Sequence, residues 1–107
     1  MWAQLIEMHL KPGESTAEMA AGIKAAEQQG SGLVRSLVMH DQSDPSRVLA
    51  LAVFEDEEKA RAREADPRRE EQLAPVRELM AAIFDGPPSF TDLVVDEEWT
   101  GLEPGGA

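Results

Sequence analysis

The sequence predicts an α+β fold, a four-stranded antiparallel sheet in β-α-β-β-α-β order with its helices on one face. Three observations carry that reading. Segments of period two and of helical period follow one another in this order along 107 residues. Proline and glycine clusters separate them. Several strand segments are apolar on both faces, so the sheet face turned away from the helices needs a cover of its own.

The first strand runs from Trp2 to Lys11, with Trp2, Ile6, Met8 and Leu10 on one face and Gln4 as its only polar member. Lys11-Pro12-Gly13 stops it, because proline has no N–H for a ladder and glycine accepts a sharp turn. Ser15-Thr16-Ala17-Glu18 reads as a capping box, with Ser15 the N-cap and Glu18 reaching back. Met19, Ile23 and Ala26 follow at helical spacing, and Gly30-Ser31-Gly32 ends this helix. Leu33 to Asp41 and Arg47 to Glu55 are the second and third strands, joined by the polar turn Gln42 to Ser46. On the second strand Leu33, Leu37 and Met39 oppose Val34 and Val38; on the third, Val48, Ala50, Ala52 and Phe54 oppose Leu49, Leu51 and Val53.

Glu55 to Glu58 open a short helix with acids at its positive end. Asp66-Pro67 breaks it and restarts a second one as N-cap and first residue. Leu73, Val76, Leu79, Met80, Ile83 and Phe84 form a stripe suited to lying on a sheet, with a kink or restart expected at Pro75. Gly86-Pro87-Pro88 terminates it, and the last strand lies within Phe90 to Trp99. Residues 1–100 thus form a single domain, and 101–107 a frayed tail.

Composition narrows the function. Ten basic and 21 acidic residues give a net charge of −11, a field that repels nucleic acid and anionic membrane surfaces. No cysteine is present, which excludes disulfides, thiolate catalysis and Cys-based metal sites. The longest apolar run is Val48 to Phe54, far short of the ~20 residues a bilayer requires. No secretory signal opens the chain, so a cytoplasmic location is expected. Fifteen alanines against five aromatic residues mean that much of the apolar content is small, and a lone subunit's core would be thin.

A homodimer follows from the burial argument. The uncovered face would hold several of Leu37, Leu49, Leu51, Val53, Leu93 and Val95, or their opposites. At roughly 1.5–3 kcal/mol for each large aliphatic side chain, leaving them in water forgoes on the order of 10 kcal/mol. That matches the whole stability of a small domain. Two-fold pairing through this sheet face solves the problem with one self-complementary patch.

The order of Leu10-Lys11-Pro12-Gly13, Val53-Phe54-Glu55-Asp56-Glu57-Glu58, Ala65-Asp66-Pro67-Arg68 and Phe84-Asp85-Gly86-Pro87-Pro88 resembles the antibiotic biosynthesis monooxygenase domain, of the dimeric α+β barrel superfamily. The landmarks span nearly the whole chain. The resemblance implies a ferredoxin-like protomer with a small hydrophobic pocket between sheet and helices. It also implies cofactor-independent oxidation of a phenolic or quinol-type molecule, whose deprotonated form reduces oxygen directly, with the protein supplying desolvation, orientation and a proton acceptor. Haem-degrading relatives carry asparagine, tryptophan and histidine at places that fall at or near Ile6, Arg63 and Leu73, so haem degradation does not fit. Phe54 stands where an aromatic is expected, and Arg68 and Arg69 stand where relatives often have histidine.

Among residues able to carry chemistry, Gln4 lies on an apolar face and needs a partner, either a ligand or a neighbouring backbone group. His40 at the end of the second strand is a candidate pocket base or an exposed strand-end residue. Glu7 and His9 share a strand face but lack a third ligand for a metal; His9 reads better as an inter-subunit hydrogen-bonding group. Arg35 reads as an anion anchor or, better, as half of a cross-strand ion pair, and Trp2 and Trp99 as packing at the sheet rim or dimer edge. The expected pocket is walled by Ile6, Met8, Phe54, Leu73, Val76 and Met80 with Gln4 orienting the ligand, without metal or cofactor. On that scaffold three readings stand: a cofactor-free monooxygenase for a small aromatic molecule, a non-catalytic ligand-binding or accessory dimer, and a filled structural core.

Overall fold

A computed structural model describes residues 1–102. Its elements are β1 (Trp2–His9), α1 (Ala17–Ala25), β2 (Leu33–His40), β3 (Arg47–Phe54), α2 (Glu57–Glu64), α3 (Pro67–Ile83) and β4 (Ser89–Val94). The strands form one antiparallel sheet in the order β2-β3-β1-β4, the ferredoxin-like arrangement. Strand β3, apolar at every position but Arg47, takes the centre beside β1, where each face is most easily dried.

Trp2, Gln4, Ile6 and Met8 face the helices from β1, beside Val48, Ala50, Ala52 and Phe54 of β3. Met8, Met19, Ala26, Val48, Leu73, Val76, Ile83 and Phe84 make the main core. A smaller cluster of Trp2, Phe54 and Ala60 lies under α2, the two rings 6.0 Å apart. Helices α1 and α3 cross at Gly22, where a Cβ would stand 2.6 Å from Val76 Cγ2. Only a residue without a side chain lets the backbones meet this closely.

Several local expectations need correction. The first helix begins one residue later than its capping box placed it. Thr16 is the N-cap without a side-chain bond, and the Ser15 hydroxyl instead accepts from the Ala17 N–H at 3.2 Å. That helix stops at Ala25, well before Gly30, which together with Gly32 turns the chain at positive φ. Helix α3 runs unbroken through Pro75. Pro75 is on the exposed side, so water can reach the carbonyl its missing N–H leaves unpaired, and the buried stripe is undisturbed. A register shift between Leu33 and Arg35 changes the phase of β2. Leu33 therefore shares the helix side with Ser36, Val38 and His40, and Leu37 and Met39 lie opposite, on the outer side. The last strand ends at Val94, leaving Trp99 79% exposed outside it, whereas Trp2 is buried. The tail expected over 101–107 lies, from residue 103 onward, outside the described residues.

The outer sheet face carries aligned apolar rows. Leu37, Leu51 and Leu5 are direct cross-strand neighbours, and so are Met39 and Leu49. Leu37, Met39 and Leu93 remain 42%, 39% and 38% exposed, while Leu5, Leu49 and Leu51 are half-buried by one another. The apolar area left in water is thus smaller than full exposure would give, but it is continuous. At one end of this face Arg47 binds Glu7 at 2.6 Å and Asp41 at 3.4 Å.

Candidate ligand cavity

Helices α1 and α3 do not close fully over the inner face of the sheet, and a cavity of about 500 Å³ remains between them. Its floor is Gln4 and Ile6 of β1 with Ala52 and Phe54 of β3; its roof is Leu73, Val76 and Met80 of α3. A smaller hollow of about 140 Å³ adjoins it, sharing Ile6, Ala52, Met80 and Phe90 and reaching Met8 and Ala50. The space has a plain origin. Ala50 and Ala52 stand at the middle of the sheet, where larger residues would meet the helices. Phe90, 58% exposed, lies at the rim.

Of the residues expected to wall a pocket, Gln4, Ile6, Phe54, Leu73, Val76 and Met80 line the larger cavity, and Met8 lines the adjoining one. Gln4 has a protein partner: its Nε2 donates to Asp92 Oδ1 at 3.1 Å. Asp92 also accepts from Arg61 at 3.0 Å, and Arg61 in turn lies 5.0 Å from the Trp2 ring. His40 lies at the exposed end of β2 and lines neither hollow. A pocket-base role for it is not supported by its place. His9 is exposed on the outer face, and Arg35 makes no ion pair among the described residues. No group of three metal-ligating side chains occurs among the described residues.

What sequence reading missed is the positive charge in the wall. Arg61, Arg63, Arg69 and Arg77 all line the larger cavity, against a single carboxylate there, Glu64. Arg63 binds Glu27 at 2.8 Å and lies 5.3 Å from the Phe54 ring. Burial pushes the Glu27 carboxyl up, but hydrogen bonds from Arg63 and Ser31 outweigh it and hold this group below the usual carboxylate range. Arg77 pairs with Glu70. Arg69 differs: its Nε is buried and has no hydrogen-bond partner among the described residues. Burial first, and then the nearby charge of Arg63, lower its pKa below the ordinary guanidinium value. A buried donor without an acceptor costs about 1–3 kcal/mol, and more when it belongs to a charged group.

The signal for Arg69 was present. Once Asp66-Pro67 starts α3, Arg69 falls four residues before Leu73 and seven before Val76, on the side of the helix that is buried. Arg63 had no comparable sequence signal, because α2 is too short and too polar to show a buried face.

No described helix is long and apolar enough to cross a membrane. No family model matches the chain, and no curated protein matches it in sequence. Solved structures do match. One is SnoaB, a cofactor-independent oxygenase from Streptomyces nogalater, with a TM-score of 0.68 at 14% identity, over 91% of this chain and 94% of that one. Another, named an antibiotic biosynthesis monooxygenase, gives 0.70 at 12% identity over 91% and 100%. A protein of unknown function from Nitrosomonas europaea gives 0.71 at 17% identity over 95% of each chain. The fold is therefore the one that structures named antibiotic biosynthesis monooxygenases share, as the resemblance of its landmarks implied.

Proposed function

We propose that this chain is a small-molecule-binding protein of the antibiotic biosynthesis monooxygenase kind, working as a homodimer and taking a small apolar or aromatic ligand between sheet and helices. The observation that carries this reading is the cavity of about 500 Å³ bounded by Ile6, Phe54, Leu73, Val76 and Met80, its wall completed by Gln4 and by charged side chains of α2 and α3. Pockets of this size and lining suit small organic molecules. The outer face supports the dimer: Leu5, Leu37, Leu49, Leu51 and Leu93 form a continuous apolar surface that a second apolar surface would dry. Cytoplasmic work is consistent with the absence of a membrane-spanning helix among the described residues.

Within that reading the oxygenase branch is the fuller hypothesis. A phenol or quinol held in the dry cavity would lose a proton and pass an electron from its anion to oxygen, with no cofactor. Arginines lining the wall favour the anion. A proton acceptor is the weak link, since Glu64 is the only carboxylate in the lining and lies 3.7 Å from Arg61. This same observation favours the second reading, a non-catalytic carrier, sensor or accessory dimer. Oxygen uptake with a panel of anthrones and quinols separates the two: turnover that disappears in Ala52→Phe, where a ring would fill the cavity floor, supports the oxygenase. Binding of a panel member by calorimetry with no oxygen uptake supports the carrier. Binding of nothing in the wild type, with or without the Ala52→Phe change, would reject both.

A further inference from the structure

We propose that Arg69 is the anchor for a carboxylate on the cavity's ligand, so that the site selects flat apolar monoanions over neutral molecules of the same shape. The inference rests on the cavity being a ligand site and adds to it the charge class of the occupant. Four arginines line the larger cavity, and three have an acidic partner: Arg61 with Asp92 and Glu57, Arg63 with Glu27, Arg77 with Glu70. Arg69 has none within ion-pair distance among the described residues. It lines both hollows, beside Ile6, Ile23, Ala52 and Met80, and its Nε–H is buried without an acceptor.

In a chain whose acidic residues outnumber its basic ones by 21 to 10, a guanidinium left unpaired next to an apolar cavity is the exception. Glu27 and Glu64 are near enough to act on its charge, yet neither comes within ion-pair distance, being bound to Arg63 and Arg61. Buried donors are nearly always satisfied, so this one points to an acceptor that arrives with the ligand. The chemistry of that acceptor is specific. A guanidinium offers its Nε–H and one Nη–H as a parallel pair, which matches the two oxygens of a carboxylate. One unpaired positive charge balances one negative charge; a phosphate dianion would leave a second charge in an apolar space. The rest of the ligand is uncharged and largely apolar, because Ile6, Ile23, Ala52 and Met80 line both hollows and the other three lining arginines already have acidic partners. Arg68, next in sequence, is exposed and already bound to Asp66 at 2.7 Å, so it provides a matched control of charge without access to the cavity.

The test uses the full chain and two probes of one shape, 2-naphthoate and 2-naphthamide, with binding followed by calorimetry. Wild-type protein should bind the carboxylate at least about tenfold more tightly than the amide, the ratio expected for a hydrogen-bonded charge pair. Arg69→Met should remove that preference while still binding the amide, and Arg68→Met should preserve it. Equal affinity for the two probes in the wild type overturns the inference, as does a preference that survives Arg69→Met; in both cases amide binding shows that the cavity reading stands. If neither probe binds wild-type protein, both the inference and the cavity reading fall. Should Arg69→Met not fold, Arg69→Gln, which retains a polar side chain but no charge, takes its place with the same expected loss.

Discussion

The two faces of one sheet behave differently. The inner face, turned toward the helices, has small residues at its middle, Ala50 and Ala52, with the polar Gln4 directly opposite Ala52. The outer face has large aliphatic residues in the corresponding rows, Leu5, Leu37, Leu49 and Leu51, with Glu7, Asp41 and Arg47 at one end and Arg35, level with Val53, toward the other. The same strands supply both, since neighbouring residues alternate sides. A cavity over small residues suits a small molecule, and a continuous row of large aliphatic side chains suits a second protein surface. The pattern of side-chain size, more than apolarity itself, divides the two roles.

The largest expected effect comes from breaking the outer face. Leu51→Glu places a carboxylate between Leu5 and Leu37, where pairing of two sheets would bury it without a partner, at a cost of several kcal/mol. Light scattering at micromolar concentration should show a dimer for the wild type and a monomer for the variant. A wild type that is already monomeric would remove the role assigned to this face. In the core between the inner face and its helices, Met19→Ala should lower stability by about 2–5 kcal/mol, because Met19 of α1 is 1% exposed there. Denaturant unfolding measures it, and a loss below about 1 kcal/mol would mean the cluster closes over the gap.

A smaller effect sharpens the description of the helical layer. Gly22→Ala gains up to about 1 kcal/mol of helix propensity but sets a methyl 2.6 Å from Val76 Cγ2, an overpacking that costs about 1–3 kcal/mol. Net destabilisation is expected, and the double change with Val76→Ala should relieve the clash. Thermal unfolding of the four proteins in that cycle decides it; additive effects would show that the two residues do not meet.

The smallest effect concerns Asp66, outside both faces. Its side chain accepts from the Arg68 backbone N–H and binds the Arg68 guanidinium, and these bonds hold its pKa at about 2. The unfolded value is near 3.8, so the folded state binds its proton less readily. This contribution is complete above pH 3.8 and is lost as the pH falls toward 2. The difference in melting temperature between wild type and Asp66→Asn should therefore be constant near neutrality and shrink through that acid window. A difference that grows on acidification would reverse the assignment.

How much was legible in the sequence varied from element to element. Strand β3, apolar at every position from Val48 to Phe54, announced its central place, and Asp66-Pro67 marked the start of α3 to the residue. The phase of β2 was not legible, because one irregular residue near Val34 exchanges the faces of everything after it, and alternation alone does not reveal an inserted residue. Pro75 was misread for the opposite reason: its local cost is real, but an exposed position on a helix anchored by Leu73 and Val76 absorbs it. The pocket wall was read mainly from its apolar members. Arg69 sits in the same stripe, but the sequence marks it only as standing where relatives often have histidine.

By itself the sequence determined the order of the elements, the central strands and the presence of apolar residues on both sides of the sheet, because all of these follow from local periodicity and turn chemistry. Tertiary structure alone decided that α1 and α3 leave a cavity over Ala50 and Ala52, that Gln4 binds Asp92, and that Arg69 is without the acidic partner its neighbours have. The physical reason is distance along the chain. Gln4 and Asp92 are 88 residues apart, and Arg63 and Glu27 are 36. No local pattern specifies which charges meet across such separations; packing does.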